Sequence, residues 1–187
     1  MFCALTIFSC TNISTTHSAD NTITVSKDLL TLIPNQGLVL YQGEPFSGIS
    51  EKLYPNDTTA EIIEYKDGIR HGQNKKYFIN GLLSYSAPYV DGKLHDISKS
   101  WWNNGNLRSA SNFTLGKANG VQTEWYKTGQ KFKELHLVNG KEKGMQTAWR
   151  KNGKIYNNYE AKNGRIFGLK RANLCYELED EKIQYKD

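Results

Sequence analysis

EWYKTGQKF, Glu124 to Phe132, places a Trp-Tyr pair three residues ahead of a glycine, and the chain repeats that phrase. Near-copies are KYFINGLL (76–83), SWWNNGNL (100–107) and AWRKNGKI (148–155). The glycine that precedes each phrase falls at Gly48, Gly72, Gly120, Gly144 and Gly168, with Asp96 in the empty place, so the step is 24 residues. A second series, Gly81, Gly105, Gly129 and Gly153, and a third, Gly68, Gly92, Gly116, Gly140 and Gly164, keep the same step. Three series in one register make a tandem array, and five units span residues 46–168.

Each unit holds two strand-length stretches separated by glycine turns, and at 80–81, 104–105, 152–153, 91–92, 139–140 and 163–164 the turn is Asn-Gly or Asp-Gly, pairs that tolerate the positive φ of a two-residue type I′ turn. Each unit is therefore read as one β-hairpin. Asp57 takes the glycine place in the first unit beside Pro55, which predicts a looser turn there. Asn-Gly interrupts too often for a helical solenoid, so the fold class is all-β: an antiparallel meander of tandem 24-residue hairpins. Residues 20–45 read as an N-terminal lead-in or cap and 169–187 as a C-terminal cap that shields the last edge.

Counting from the first glycine as slot zero, slot five reads Leu53, Tyr77, Trp101, Trp125, Trp149, and slot six reads Tyr54, Phe78, Trp102, Tyr126, Arg150. Side chains alternate along a strand, so odd slots share a face. Slot one (Ile49, Gln73, Ile97, Val121, Met145) should then join slot five on an apolar face, with Tyr77, Trp101, Trp125 and Trp149 as an aromatic spine. Slots two and four are mostly polar and should face outward. In the second strand the apolar entries at slots eleven, fifteen and seventeen should turn to the same side as the spine. Tyr54, Phe78, Trp102 and Tyr126 then form an aromatic row on the polar face, flanked by Lys52, Lys76 and Lys127. Such a row has the make-up of a surface that binds a partner protein. It can equally serve cross-strand packing or lie under the segment Leu29 to Leu40.

Hydrophobic residues make up 38% of the 187 and the mean hydropathy is −0.63, as expected of strands joined by tight turns. Net charge is +5 and the pI near 9.0, but the basic residues are spread among acids without a run of five. That pattern fits a solvated lysine-rich sheet, not a nucleic-acid groove.

Catalytic motifs are missing: there is no G-x-S-x-G, H-E-x-x-H or phosphate-binding loop, and an enzyme is the poorest fit. His71 and His95 share a slot in adjacent units, two strands and about 9.5 Å apart, too far for one metal ion. His17 and His136 stand apart from them. Glu64 and Glu160 share a slot four units apart, too distant to act as an acid/base pair. No metal and no cofactor are expected.

The amino terminus, MFCALTIFSCTN, is similar to the end of a bacterial lipoprotein signal. That resemblance implies cleavage before Cys10, a lipid on its thiol, a tether through residue 19 and membrane attachment in the bacterial cell envelope. The alternative is a short apolar leader without export significance and a cytoplasmic protein. With Cys10 lipidated and Cys3 removed with the leader, Cys175 has no partner, and reads as a buried structural thiol ahead of a nucleophile.

The G-x-x-x-x-aromatic-aromatic-x-x-G phrase, followed by a later aromatic-x-x-G, resembles MORN repeats, and more closely the bacterial variant of the YwqK-type antitoxin family. The opening GLVLYQGEPFSGISEKLYPN, Gly37 to Asn56, is similar to that family's lead-in. The resemblance covers residues 37–175. It implies a hairpin-repeat fold and a non-enzymatic role, either binding a partner protein along a sheet face or neutralising a toxin. MORN repeats also imply binding to anionic lipid. Departures are Asp57 and Asp96 for glycine, Arg150 for the second aromatic, and Asn173 where a sixth unit would carry its ring.

Overall fold

The computed structural model describes residues 22–170 and a short strand pair at Leu178–Glu179 and Lys182–Ile183. The leader with Cys10 and His17, and Cys175 with most of the C-terminal cap, lie outside the described residues.

The chain enters through β1 (Thr24–Ser26), a 3₁₀ turn (Lys27–Leu29), and the strands β2 (Leu30–Ile33), β3 (Leu38–Tyr41) and β4 (Glu44–Pro45), which form their own small antiparallel sheet. The repeats follow as β5 (Gly48–Leu53), β6 (Thr59–Lys66), β7 (Ile69–Tyr77), β8 (Leu83–Val90), β9 (Lys93–Leu94) and β10 (Asp96–Trp101). They continue as β11 (Leu107–Thr114), β12 (Lys117–Trp125), β13 (Lys131–Val138), β14 (Lys141–Glu142), β15 (Gly144–Trp149), β16 (Ile155–Lys162) and β17 (Arg165–Leu169). Neighbours in sequence are neighbours in the sheet throughout, so the array is the expected antiparallel meander of hairpins. Its first edge departs from the pattern, because β1 pairs with β5 in parallel.

The two glycine turns of each unit are built differently. At Asp67-Gly68, Asp91-Gly92 and Asn139-Gly140 both residues have positive φ, as the type I′ reading requires. Leu115 occupies the same position at φ 47°, where a branched side chain is strained. The turns at Gly81, Gly105, Gly129 and Gly153 are not type I′: only the glycine has positive φ. In the first of these the Gly81 N–H donates to Phe78 O and the Phe78 N–H to Leu82 O, a type I turn closed by a glycine bulge. Asparagine precedes the glycine for a separate reason, since Oδ1 of Asn80, Asn104 and Asn152 accepts the N–H two residues on, at 3.0–3.2 Å. With Asp57 at φ 60° the first turn has the same two backbone bonds, the Asp57 N–H donating to Tyr54 O and the Tyr54 N–H to Thr58 O, so it is no looser than the others.

The assignment of faces needs correcting. The register shifts by one residue between slots four and five in every unit, as at Lys76/Tyr77 and Ser100/Trp101. That bulge breaks the strict alternation on which the slot-one and slot-five pairing rests. Slot two is the inner position: Ser50, Asn74, Ser98 and Gln146 are buried, Gln146 completely. Slot one is outside, with Ile97 46% and Met145 45% exposed. Opposite slot two lie the slot-fifteen residues, in the pairs Ser50 with Ile63, Asn74 with Ala87 and Gln146 with Tyr159. Slot fifteen thus turns inward as expected, and slot two joins it. The spine residues Tyr77, Trp101, Trp125 and Trp149 are only half-buried.

The apolar core sits instead under the N-terminal sheet. Phe46, Ile63 and Tyr65 pack there against Val25, Leu30, Val39 and Tyr41, with Phe46 and Tyr65 ring centroids 5.8 Å apart. The segment Leu29 to Leu40 therefore covers the inner face of the first unit rather than the slot-six row.

Candidate functional site

Slot six forms a set of braces. Tyr54 Oη donates to Tyr77 O at 2.8 Å, Trp102 Nε1 to Trp125 O at 3.1 Å, and Tyr126 Oη to Trp149 O at 2.8 Å. Each half-buried ring ties its unit to the spine carbonyl of the next. Of the four residues expected to form a recognition strip, three thus have their polar atom committed inside the array. Phe78 has no donor to give. At its junction, between the second and third units, the inner face opens into a groove of about 440 Å³.

Slot two borders the groove in the second unit. In the fifth unit the Gln146 side chain stands in for a peptide group: its Nε2 donates to His136 O at 2.9 Å and its Oε1 accepts the His136 N–H at 3.0 Å. Gln122 makes the donor half of that pair, to Asn112 O at 2.9 Å. Asn74 is one methylene shorter than these glutamines, and it lines the groove. In the second unit Glu64 fills the backbone role, its Oε2 accepting the Gln73 N–H at 3.0 Å. Gly72 stands at φ 97°, a conformation that side chains other than glycine rarely adopt, and a Cβ there would also displace that carboxylate. The amide of Asn74 is left 4% exposed with its Oδ1 unpartnered.

The groove walls combine charge with rings. Arg70 from β7 lies 5.6 Å from the centre of the Tyr89 ring, and Arg108 from β11 lies 4.9 Å from that of Trp102. Burial pulls the Arg70 guanidinium down, but the neighbouring phenols of Tyr65 and Tyr89 outweigh it and raise its pKa. Neither arginine has a carboxylate partner among the described residues. Glu61, on the groove floor, is bound by Lys27 from the N-terminal cap and by Lys76 at 3.3 Å. Its burial alone would raise the carboxyl pKa, yet the two lysines hold it below the usual value. Counting Lys27, Arg70, Lys76 and Arg108 against Glu61, the region carries a net charge of about +3. Tyr85 and Trp101 supply flat walls. Burial raises the Tyr85 phenol, which stays protonated at neutral pH.

Of the residues singled out in sequence, Phe78, Trp101 and Lys76 line this groove. Tyr54, Trp102 and Tyr126 brace the units, and Gly81, Gly105, Gly129 and Gly153 close the turns of the second glycine series. His71 lies 3.3 Å from Asp91, and His95 Nε2 lies 3.9 Å from Asp96. Asn74, Arg70 and Arg108 were missed. A usable signal was present in composition, since only five of the 24 basic residues are arginines and two of the five converge here.

Compared with known protein families and with curated proteins, the chain matches none.

Proposed function

We propose that this chain is a non-enzymatic repeat scaffold that holds a partner protein along the inner face of its sheet. The observation that carries the reading is the groove between the second and third units, where among the described residues two arginines lack carboxylate partners and a buried amide oxygen lacks a donor. A groove of about 440 Å³ is smaller than a stable interface, which buries about 800 Å² on each partner, so it serves as an anchor within a wider contact. A toxin neutralised as the YwqK-type resemblance implies would be one such partner. The scaffold is displayed from the bacterial envelope by a lipid on Cys10, an anchoring that intact mass of the full-length product in a bacterial host reports directly.

A photo-crosslinking amino acid placed at Phe78 and, separately, at the outer-face residue Ile97 tests the face. In the organism of origin the first should give a discrete protein adduct and the second none. Adducts from Ile97 alone would place the contact on the outer face.

A further inference from the structure

We infer that the groove is a subsite for an extended acidic peptide segment, whose carboxylate meets Arg70 and Arg108 while its backbone supplies the N–H that Asn74 lacks. This rests on the inner-face reading and names the chemistry of the partner.

The repeat itself identifies the missing donor. At the slot that Asn74 occupies, the fifth unit's Gln146 accepts a backbone N–H from the neighbouring strand. In the second unit the amide has the same inward address, is 96% buried, and its oxygen has no partner. Leaving such an acceptor empty costs free energy that an incoming N–H recovers. An extended peptide presents N–H groups to one side at alternate residues. A phosphodiester headgroup has none, and this favours peptide over membrane.

Charge supplies the second half. Among the described residues Arg70 and Arg108 have no carboxylate partner, and the planar fork of each matches a carboxylate's two oxygens. Glu61 does not compete for them, being bound to Lys27 and Lys76. Phe78, Tyr85 and Trp101 line the groove where the stem of an aspartate or glutamate would lie. Arg108 is exposed, so it is available to a partner, and its removal should leave the array folded.

A randomised heptapeptide display library, selected on the full-length protein, tests this. Selected peptides should carry aspartate or glutamate at a fixed position. Synthetic copies should lose roughly ten-fold or more in affinity in Arg108→Ala and again in Asn74→Ala, both verified as folded by circular dichroism. Arg108→Lys should recover only part of the loss, because the charge returns without the fork. Peptides without acidic preference, or acidic peptides indifferent to both substitutions, would overturn the inference. Non-acidic peptides that still depend on Asn74 and Arg108 would overturn the carboxylate and leave the inner-face reading standing; peptides that cross-link only at Ile97 would remove both. Phosphatidylglycerol vesicles that bind through Arg70 and Arg108 while acidic peptides do not would reassign the groove to a lipid headgroup.

Discussion

The first unit and the second use the same repeat address for opposite ends. At slots fifteen and seventeen the first unit has Ile63 and Tyr65, and the N-terminal sheet lies over them to make the protein's main apolar core. One unit on, Ala87 and Tyr89 hold those slots; Ala87 is buried within the array, while Tyr89 is half-buried and lines the groove. A tandem array makes positions equivalent in backbone while leaving their surroundings free to differ. At slot seventeen the lid makes Tyr65 part of the core, and one unit beyond it Tyr89 is left half-buried in the groove wall.

The largest effect should come from removing the covered side chain. Ile63→Ala leaves a cavity beneath the cap and should cost about 2–5 kcal/mol. Leu135→Ala, at the same slot but half-buried, should cost about 1 kcal/mol, with both read from urea unfolding by circular dichroism. Equal costs would mean that the cap contributes little to the inner face.

Acid should act selectively on the capped end. The carboxyl of Glu61 lies below its ordinary value of 4.5 in the folded protein, so the folded state binds fewer protons there than the unfolded chain. Its contribution is complete above about pH 4.5 and disappears as pH falls through the lowered pKa. The melting temperatures of wild type and Glu61→Gln should therefore differ at pH 6 to 7 and converge in acid; a constant gap would show that the lysine pairing does not shift the group.

The junctions offer a finer comparison, three braced against one unbraced. Tyr126→Phe removes the bond to Trp149 O and should cost about 1 kcal/mol. Phe78→Tyr supplies the donor that the second junction lacks and should gain up to about 1 kcal/mol, provided the hydroxyl reaches Trp101 O. The smallest effect is expected at Leu115, where Asn relieves the positive φ and should raise stability by about 0.5–1 kcal/mol in the same unfolding measurement.

The period and the hairpins were legible because each is written in glycine with asparagine or aspartate, whose conformational freedom acts through local backbone geometry. The turn type was legible at Asp91-Gly92 and Asn139-Gly140 but not at Asn80-Gly81, Asn104-Gly105 and Asn152-Gly153, where only the glycine has positive φ. Which face is inner was not, because one bulged residue between slots four and five exchanges the faces without leaving a mark in apolar content. The buried slot two is polar in all five units, and only its hydrogen bonds show why: Gln146 acts as a surrogate peptide group. The slot-six row was visible, but its purpose lay in a distinction between donors and non-donors. Tyr54, Trp102 and Tyr126 can donate, Phe78 cannot, and that single exception marks the groove.

The braces also point one way along the chain. Each donor belongs to the earlier unit and each acceptor to the later one, 23 residues downstream. On a ribosome, a unit that has emerged must wait for its successor before its ring can close, so the array is sealed one step behind synthesis. Arg150 ends the aromatic series in the fifth unit. A sixth copy added by duplication would arrive without a clasp from its predecessor until that arginine became tyrosine or tryptophan.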